Sequence, residues 1–318
     1  MIGYKKIAII TTNSFGYIDF VAERLKRNEN VDLLYINIDK IPFSYKNGFS
    51  RAINFFLKLF MGYGLKEKNK TNFIKEIITD KGQFDQILVI RPDKLQKEAL
   101  ICLRENSIEM TCYLFDGIEN FKAQKDVMCF FDTIYSYDRN DVEKYKFKFL
   151  TNFIFDDEIK DSELTQKVFN ISSFDKRFCL LEKLADYLKK NEISFRFIVK
   201  KNKKDKHCNI EIIDKYLCLQ EVKKIIAQSK VLIDIQKKNQ SGLSFRVFES
   251  LGYNKKLITN NPDIVNYDFY NKNNIYIISE NDWTVPKEFF ETEYSKIDSE
   301  ILDQYKLENW NYKVFKVK

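Results

Sequence analysis

The chain has 318 residues, of which 53 are Lys or Arg and 46 Asp or Glu, for a net charge of +7. With 44% apolar and 15% aromatic residues it can fill the cores of two packed domains, which excludes a disordered chain. The excess charge is small and gathers in residues 200–206 and 313–318, and no recognised DNA- or RNA-binding motif is present, so no nucleic acid partner is expected.

In chain order, residues 7–11 read as a buried strand, 12–17 as a loop, 18–26 as a helix and 31–38 as the next strand. Residues 49–65 have helical spacing: Ala52, Phe55, Phe56, Leu59, Phe60 and Tyr63 share a side, with Arg51, Lys58 and Lys66 interspersed. A basic, aromatic helix of this kind suits a membrane interface, and it also suits the cover of a sheet. Strands follow at 86–90, 109–115 and 133–137, with a helix at 94–106. After the polar residues 156–165 the pattern restarts, with strands at 167–171, 194–199, 210–213 and 231–235 and helices at 177–190 and 219–228. A helix at 243–251 and a strand from 256 to 259 complete the unit, and Gly252 is placed to end that helix in a left-handed cap. A last helix covers 300–312. The fold class is α/β, with two Rossmann-like parallel-sheet domains at 1–155 and 156–300 and a C-terminal helical segment at 301–318. Ligands in such sheets bind beyond the carboxyl ends of the strands, here expected in a central cleft.

The chemistry concentrates in Gln240-Ser-Gly-Leu-Ser-Phe-Arg-Val-Phe-Glu249. A helix opening on Ser241, Gly242, Leu243 and Ser244 offers backbone N–H groups and a partial positive charge, which suit a phosphate. Arg246 and Glu249, three apart, share a helix face; one suits a diphosphate and the other the two hydroxyls of a ribose. The same spacing also describes a solvated surface pair. Ser172, Ser173, Lys176 and Arg177 follow the first strand of the second half as a candidate diphosphate cradle, or as an ordinary helix start capped by Ser173 or Asp175. Thr259 and Asn260 end the next strand, and Tyr216 is a candidate for stacking on a base.

That stretch, together with Lys255-Lys-Leu-Ile-Thr-Asn-Asn261 and Asp268-Phe-Tyr-Asn271, resembles bacterial capsule and lipopolysaccharide glycosyltransferases of the GT-B fold. Phe248-Glu-Ser-Leu-Gly252 resembles their donor-binding helix, in which a glutamate holds the nucleotide ribose; here that is Glu249. The resemblance implies two domains facing a cleft, a C-terminal helix crossing back to the first, a nucleotide-sugar donor and a growing surface glycan or lipid-linked glycan as acceptor. Retaining members usually carry a second glutamate eight positions earlier, where this chain has Ser241, so the stereochemical outcome stays open. An inverting enzyme needs a base for the acceptor hydroxyl, and Asp116, at the end of an apolar strand, is the first candidate, with Asp93 and Asp138 as alternatives. Aspartate is equally common at turns and caps. Asn13, Ser14 and Gly16, in the loop after the first strand, are candidates for the sugar or acceptor side. A nucleotide-sugar epimerase on the same scaffold and a non-catalytic subunit of glycan assembly are the alternative readings.

No cofactor and no metal are expected, because no strand ends in the Asp-x-Asp pair of metal-dependent transferases and the Walker lysine pattern is absent. His207, the only histidine, sits in a Lys/Asn-rich loop and is a poor candidate for a base. The cysteines at 102, 112, 129, 179, 208 and 218 form no Cys-x-x-Cys pair and read as buried thiols in a reducing compartment. With no signal-peptide pattern and no run of roughly 20 apolar residues, a cytoplasmic protein is expected, with peripheral contact to the inner membrane through residues 49–65.

Overall fold

A computed structural model describes residues 4–45, 48–61, 63–160, 162–202, 207, 209–238, 240–279 and 282–317; within 48–61 the side chains of 48–50, 52, 58, 59 and 61 are outside this description. Cys208, Lys318 and residues 203–206 of the basic run therefore also fall outside the described residues. The chain divides into two units, Met1–Leu150 with Asn311–Lys318, and Thr151–Trp310.

The first unit contains β1 (Lys5–Thr11), α1 (Tyr17–Lys26), β2 (Val31–Asn37), α2 (Gly48–Met61), α3 (Leu65–Lys81), β3 (Phe84–Ile90), α4 (Lys97–Glu105), β4 (Ser107–Leu114), β5 (Thr133–Ser136), α5 (Arg139–Tyr145) and β6 (Lys148–Phe149). Its strands form one parallel sheet in the order β2-β1-β3-β4-β5-β6. Residues 7–10 and 87–90 are buried on both faces of this sheet, which is why they read as unbroken apolar runs and not as alternating ones. The order reverses between β1 and β3, so the loops after these strands flank the switch point.

The second unit contains β7 (Gln166–Ser173), α6 (Phe178–Lys190), β8 (Phe195–Lys200), β9 (Glu211–Ile213), α7 (Leu219–Ala227), β10 (Ser229–Asp234), α8 (Phe245–Gly252), β11 (Lys256–Thr259), β12 (Ile275–Ile277), α9 (Lys287–Glu291) and α10 (Ser299–Asp303). Its sheet is also parallel, in the order β12-β11-β10-β7-β8-β9, and reverses between β7 and β10. This is the strand order of a nucleotide-binding Rossmann sheet. The final helix, α11 (Leu307–Phe315), begins in this unit, and its last residues group with the first. There Gln86 Nε2 donates to the Val314 carbonyl at 2.9 Å.

The expected helix over 300–312 is two helices. Between them the Tyr305 carbonyl accepts from Ile154 N at 2.8 Å and Leu307 N donates to the Ile154 carbonyl at 3.1 Å, so backbone groups a continuous helix would use internally pair with a distant segment. The same contacts explain why the second unit starts at Thr151, before the polar stretch from 156 where the sequence places the boundary. Phe153 packs on Phe245 and Trp310, with ring centroids 5.2 and 5.0 Å away.

Gly252 is not a left-handed cap. It is the last residue of α8, Tyr253 follows as the cap residue, and Asn254 takes the left-handed conformation instead, at φ 51°. A Cβ on Gly252 would stand 2.4 Å from the Asp156 carbonyl oxygen and 2.8 Å from Ile154 Cγ2, so glycine is required for close approach. The thiols also differ from expectation: Cys102 and Cys112 are buried, whereas Cys129, Cys179 and Cys218 are exposed. Nor do the described aromatic side chains of α2 cover the sheet, since Phe55, Phe56 and Phe60 are exposed.

Gly252→Ala is expected to destabilise the protein by about 1–3 kcal/mol through overpacking, although alanine is the better helix former by about 1 kcal/mol. Urea unfolding measures the balance, and a variant at least as stable as the wild type would show that the 154–156 segment yields.

Candidate functional site

In the second unit, the loops after β7, β10 and β11 meet the start of α8. Asp234, the last residue of β10, is buried; Ser244 Oγ donates to its carboxylate at 2.8 Å and Thr259 Oγ1 lies at 3.5 Å. Ser244 is the N-cap of α8 and accepts from Arg246 N at 3.1 Å, which satisfies one of the orphan donors of the helix start. Arg246 and Glu249 are ion-paired through Nη1 and Oε2. With Glu249 only 3% exposed, this is a buried pair and not the solvated surface pair that the spacing also allows.

The turn before α8 is held from three directions. Asn261 Nδ2 donates to the Ser241 carbonyl at 2.9 Å, Gln236 Nε2 to the Gly242 carbonyl at 2.8 Å, and Asn152 Nδ2 to the Leu243 carbonyl at 2.9 Å. Asn260, at the end of β11, accepts from Gln236 N at 2.7 Å. Leu243 itself is a core residue, packed with Val247, Phe248 and Leu251; its side chain serves the fold, and only its backbone belongs to the turn.

Arg177 spans the switch point of this sheet. Its Nη1 donates to the Ile235 carbonyl at 2.7 Å while its other guanidinium nitrogens grip Asp175, Nη2 at 2.6 Å. Asp175 also accepts from Arg177 N, so it orders the helix start, whereas Ser173 donates to or accepts from the Tyr216 hydroxyl at 3.2 Å. Tyr216 is exposed, with Lys200 Nζ 4.9 Å from its ring centroid, and Lys176 is exposed on the same loop. The predicted residues of this unit thus collect at one end of the sheet. Asp234, Gln236, Asn152 and Asn261 were not predicted; the one local signal among them is Asp234, an acid closing an apolar strand.

Burial pushes the Asp234 carboxyl up, against the Ser244 hydroxyl and the Arg177 and Arg246 charges that pull it down. Burial likewise raises Glu249, with Arg246 opposing. The same groups that favour charge therefore do not fully offset the lost water.

In the first unit the candidates also lie at carboxyl ends. Asp93 is gripped by Arg91, with Nε and Nη2 each 2.8 Å from its oxygens, and Arg91 lies 3.9 Å over the Phe121 ring. That bidentate pairing makes Asp93 a partner of Arg91. Asp138 is buried and caps α5 by accepting from Asn140 N at 2.9 Å, which fits the turn-and-cap alternative. Asp116 is half-buried two residues beyond β4; Arg91 is raised chiefly by its hydrogen bonds to Asp93, and the Asp116 charge adds to this. After β1, Ser14, Phe15 and Gly16 are left-handed, at φ 39°, 55° and 88°. Asn13 N donates to Asp39 at 3.0 Å, and Thr12 and Ser14 share a hydroxyl contact at 2.9 Å. Burial works to raise Asp39, but the Asn13 N–H and Lys70 outweigh it and hold it below the usual range. His207 lies apart from these groups, with Nε2 2.9 Å from Glu182 and its ring edge-on to Phe178.

No protein-family model and no curated protein matches the sequence. Solved structures do match its shape over nearly the whole chain. Anabaena HepE, in complex with UDP and glucose, superposes with a TM-score of 0.62 at 9% identity, over 98% of this chain and 99% of that one. The UDP-GlcNAc 2-epimerase of Neisseria meningitidis bound to UDP-GlcNAc gives 0.53 at 11% identity, over 98% of each chain. An α,α-trehalose-phosphate synthase (UDP-forming) from Burkholderia vietnamiensis gives 0.55 at 11% identity, over 97% of this chain and 98% of that one. The likeness is one of fold. The chain has the two Rossmann-like domains of the GT-B architecture.

Because Asp234 binds its proton more tightly folded than unfolded, its contribution to stability is full below the ordinary carboxylate range and is lost as pH rises through the folded value. Asp234→Asn, which still offers Ser244 an acceptor, should therefore gain on the wild type as pH rises from about 4 to about 7. Thermal melts across that range check it; a Tm difference that does not move with pH would refute the assignment.

Proposed function

We propose that this chain is an enzyme that binds a nucleoside-diphosphate sugar at the carboxyl end of its second sheet and acts on the sugar. The observation that carries this reading is the buried Glu249–Arg246 pair at the start of α8, beside the ends of β10 and β11. A buried carboxylate suits the paired hydroxyls of a ribose, and a helix start beside a guanidinium suits a diphosphate. The matched structures bound to UDP or UDP-GlcNAc support a uridine nucleotide as the first to test.

Two reactions fit such a site, and a different observation favours each. Epimerisation of the sugar has the broader support among structural neighbours, where UDP-GlcNAc 2-epimerases recur. It requires a proton to leave one face of the sugar carbon and return to the other. Glycosyl transfer is supported by the resemblance of the α8 sequence to a donor-binding helix and by the trehalose-phosphate synthase neighbour. In transfer the bond from the anomeric carbon to the β-phosphate oxygen breaks, and the leaving diphosphate takes the electron pair. Arg246, Lys176 or Arg177 and the start of α8 would stabilise that charge, with no metal invoked. The acceptor hydroxyl would lose its proton to a carboxylate, for which Asp116 remains the candidate, and a capsular or lipopolysaccharide glycan is the acceptor class proposed.

Incubating the protein with UDP-GlcNAc and related nucleotide sugars, without acceptor, separates the readings. An isomeric nucleotide sugar supports epimerisation; release of UDP only when a glycan acceptor is added supports transfer; binding with neither supports a non-catalytic subunit. Glu249→Gln, close to isosteric, is expected to weaken UDP binding at least about tenfold in calorimetry while the protein stays folded, whereas Glu249→Ala leaves the largely covered Arg246 without its partner and costs about 3 kcal/mol of stability. Failure of the wild type to bind any nucleoside diphosphate would overturn the proposal.

A further inference from the structure

The helix α2 presents its aromatic side outward. Phe55, Phe56 and Phe60 are 63%, 56% and 78% exposed, and Ile53 is exposed beside them. The rings form a continuous group: Phe56 stacks on Phe60 with centroids 6.4 Å apart, and Phe55 meets Phe56 edge-on at 5.8 Å. Among the described residues, the core of the first sheet takes its helical side chains from other helices, with Ile74 and Ile78 of α3 and Leu100 and Leu103 of α4 buried. A contiguous aromatic group that the described residues leave exposed marks an interaction surface.

The charged residues that flank it in sequence are of one sign, although Lys40 reaches Asp19 at 3.7 Å. Between Asp39 and Glu67 the sequence holds Lys40, Lys46, Arg51, Lys58 and Lys66 and no acidic residue. The two flanking acids are already engaged, Asp39 with Lys70 at 3.2 Å and Glu67 with Gly64 N at 3.1 Å. Arg51 is exposed on α2, its guanidinium 5.8 Å from the Tyr45 ring. The helix has 14 residues, about 21 Å at 1.5 Å per residue, and among the described residues no helix is long and apolar enough to cross a membrane. Exposed aromatics flanked by cations match a lipid surface with anionic headgroups, where rings enter the interface and cations meet phosphate.

We propose that α2 seats this chain on an anionic lipid surface, lying in the interface plane with Phe55, Phe56 and Phe60 inserted and Arg51 and the neighbouring lysines against headgroup phosphates. The proposal is independent of the reaction at the second sheet, since lipid binding is read without substrate. The full chain is sedimented with phosphatidylcholine vesicles with and without phosphatidylglycerol, at low and high salt. Binding is expected at least about tenfold stronger to the anionic vesicles and weakened by salt. The double variant Phe56→Ser with Phe60→Ser, and separately Arg51→Glu with Lys66→Glu, should each lose at least about fivefold; these exposed positions leave the core intact. No binding to anionic vesicles, or equal binding by both variants, overturns the proposal. So does a dimer in solution that the Phe56→Ser, Phe60→Ser protein no longer forms while the wild type ignores vesicles, which would give the surface to a second copy of the chain.

Discussion

Three consecutive carbonyls, of Ser241, Gly242 and Leu243, each accept a hydrogen bond from a side-chain amide, and the candidate site depends on that arrangement. A turn packed between strand ends cannot leave its carbonyls to water, and an unpaired buried carbonyl costs about 1–3 kcal/mol. Glutamine and asparagine solve this with donors that reach across a gap without bringing a charge. The three amides come from the end of β10, the end of β11 and the segment before β7, so the turn is registered against two strands and the entry to the unit at once. The start of α8, and with it Ser244, Arg246 and Glu249, inherits its position from that registration.

A second constraint acts on the far end of α8. Gly252 lets residues 154–156 pass within contact distance of the helix, and Ile154 then uses both of its backbone groups on Tyr305 and Leu307. One extended segment thereby ties the end of α8 to the break between α10 and α11. Asp156 continues the tie through its side chain, which accepts from the Tyr253 hydroxyl at 2.8 Å and pairs with Lys223 at 2.6 Å. The helix bearing the candidate site is fixed at both ends by residues from outside its own αβ unit.

Much of the fold is legible in the sequence because a parallel sheet buried on both faces leaves an unmistakable record, and segments such as 7–11, 86–90 and 231–235 are short apolar runs closed by polar residues. What is not legible is long-range. Nothing near residue 305 marks a helix break, because the cause is Ile154. Gly252 carries the ordinary mark of a helix end, yet its reason is the Cβ that would strike Asp156. Likewise Asn152, Gln236 and Asn261 are unremarkable polar residues in sequence and meet only through the topology. Arg246 and Glu249 are legible as a pair from their spacing, but not as a buried one. In the first unit, Asp93 and Asp138 resemble Asp116 in sequence as acids after apolar strands, and the grip of Arg91 on Asp93 and the capping of α5 by Asp138 are local features.

The Arg246–Glu249 pair has a consequence for any anion that approaches it. A phosphate alone would draw Arg246 away and strand a nearly inaccessible carboxylate, while a neutral polyol alone would compete with the guanidinium for Glu249 and strand the cation. If the pair serves a nucleoside-diphosphate sugar as proposed, hydroxyls and phosphates presented together would leave neither charge uncompensated. On the proposed reading, the pair would discriminate against inorganic phosphate and against free sugars, each of which answers only one of its two charges.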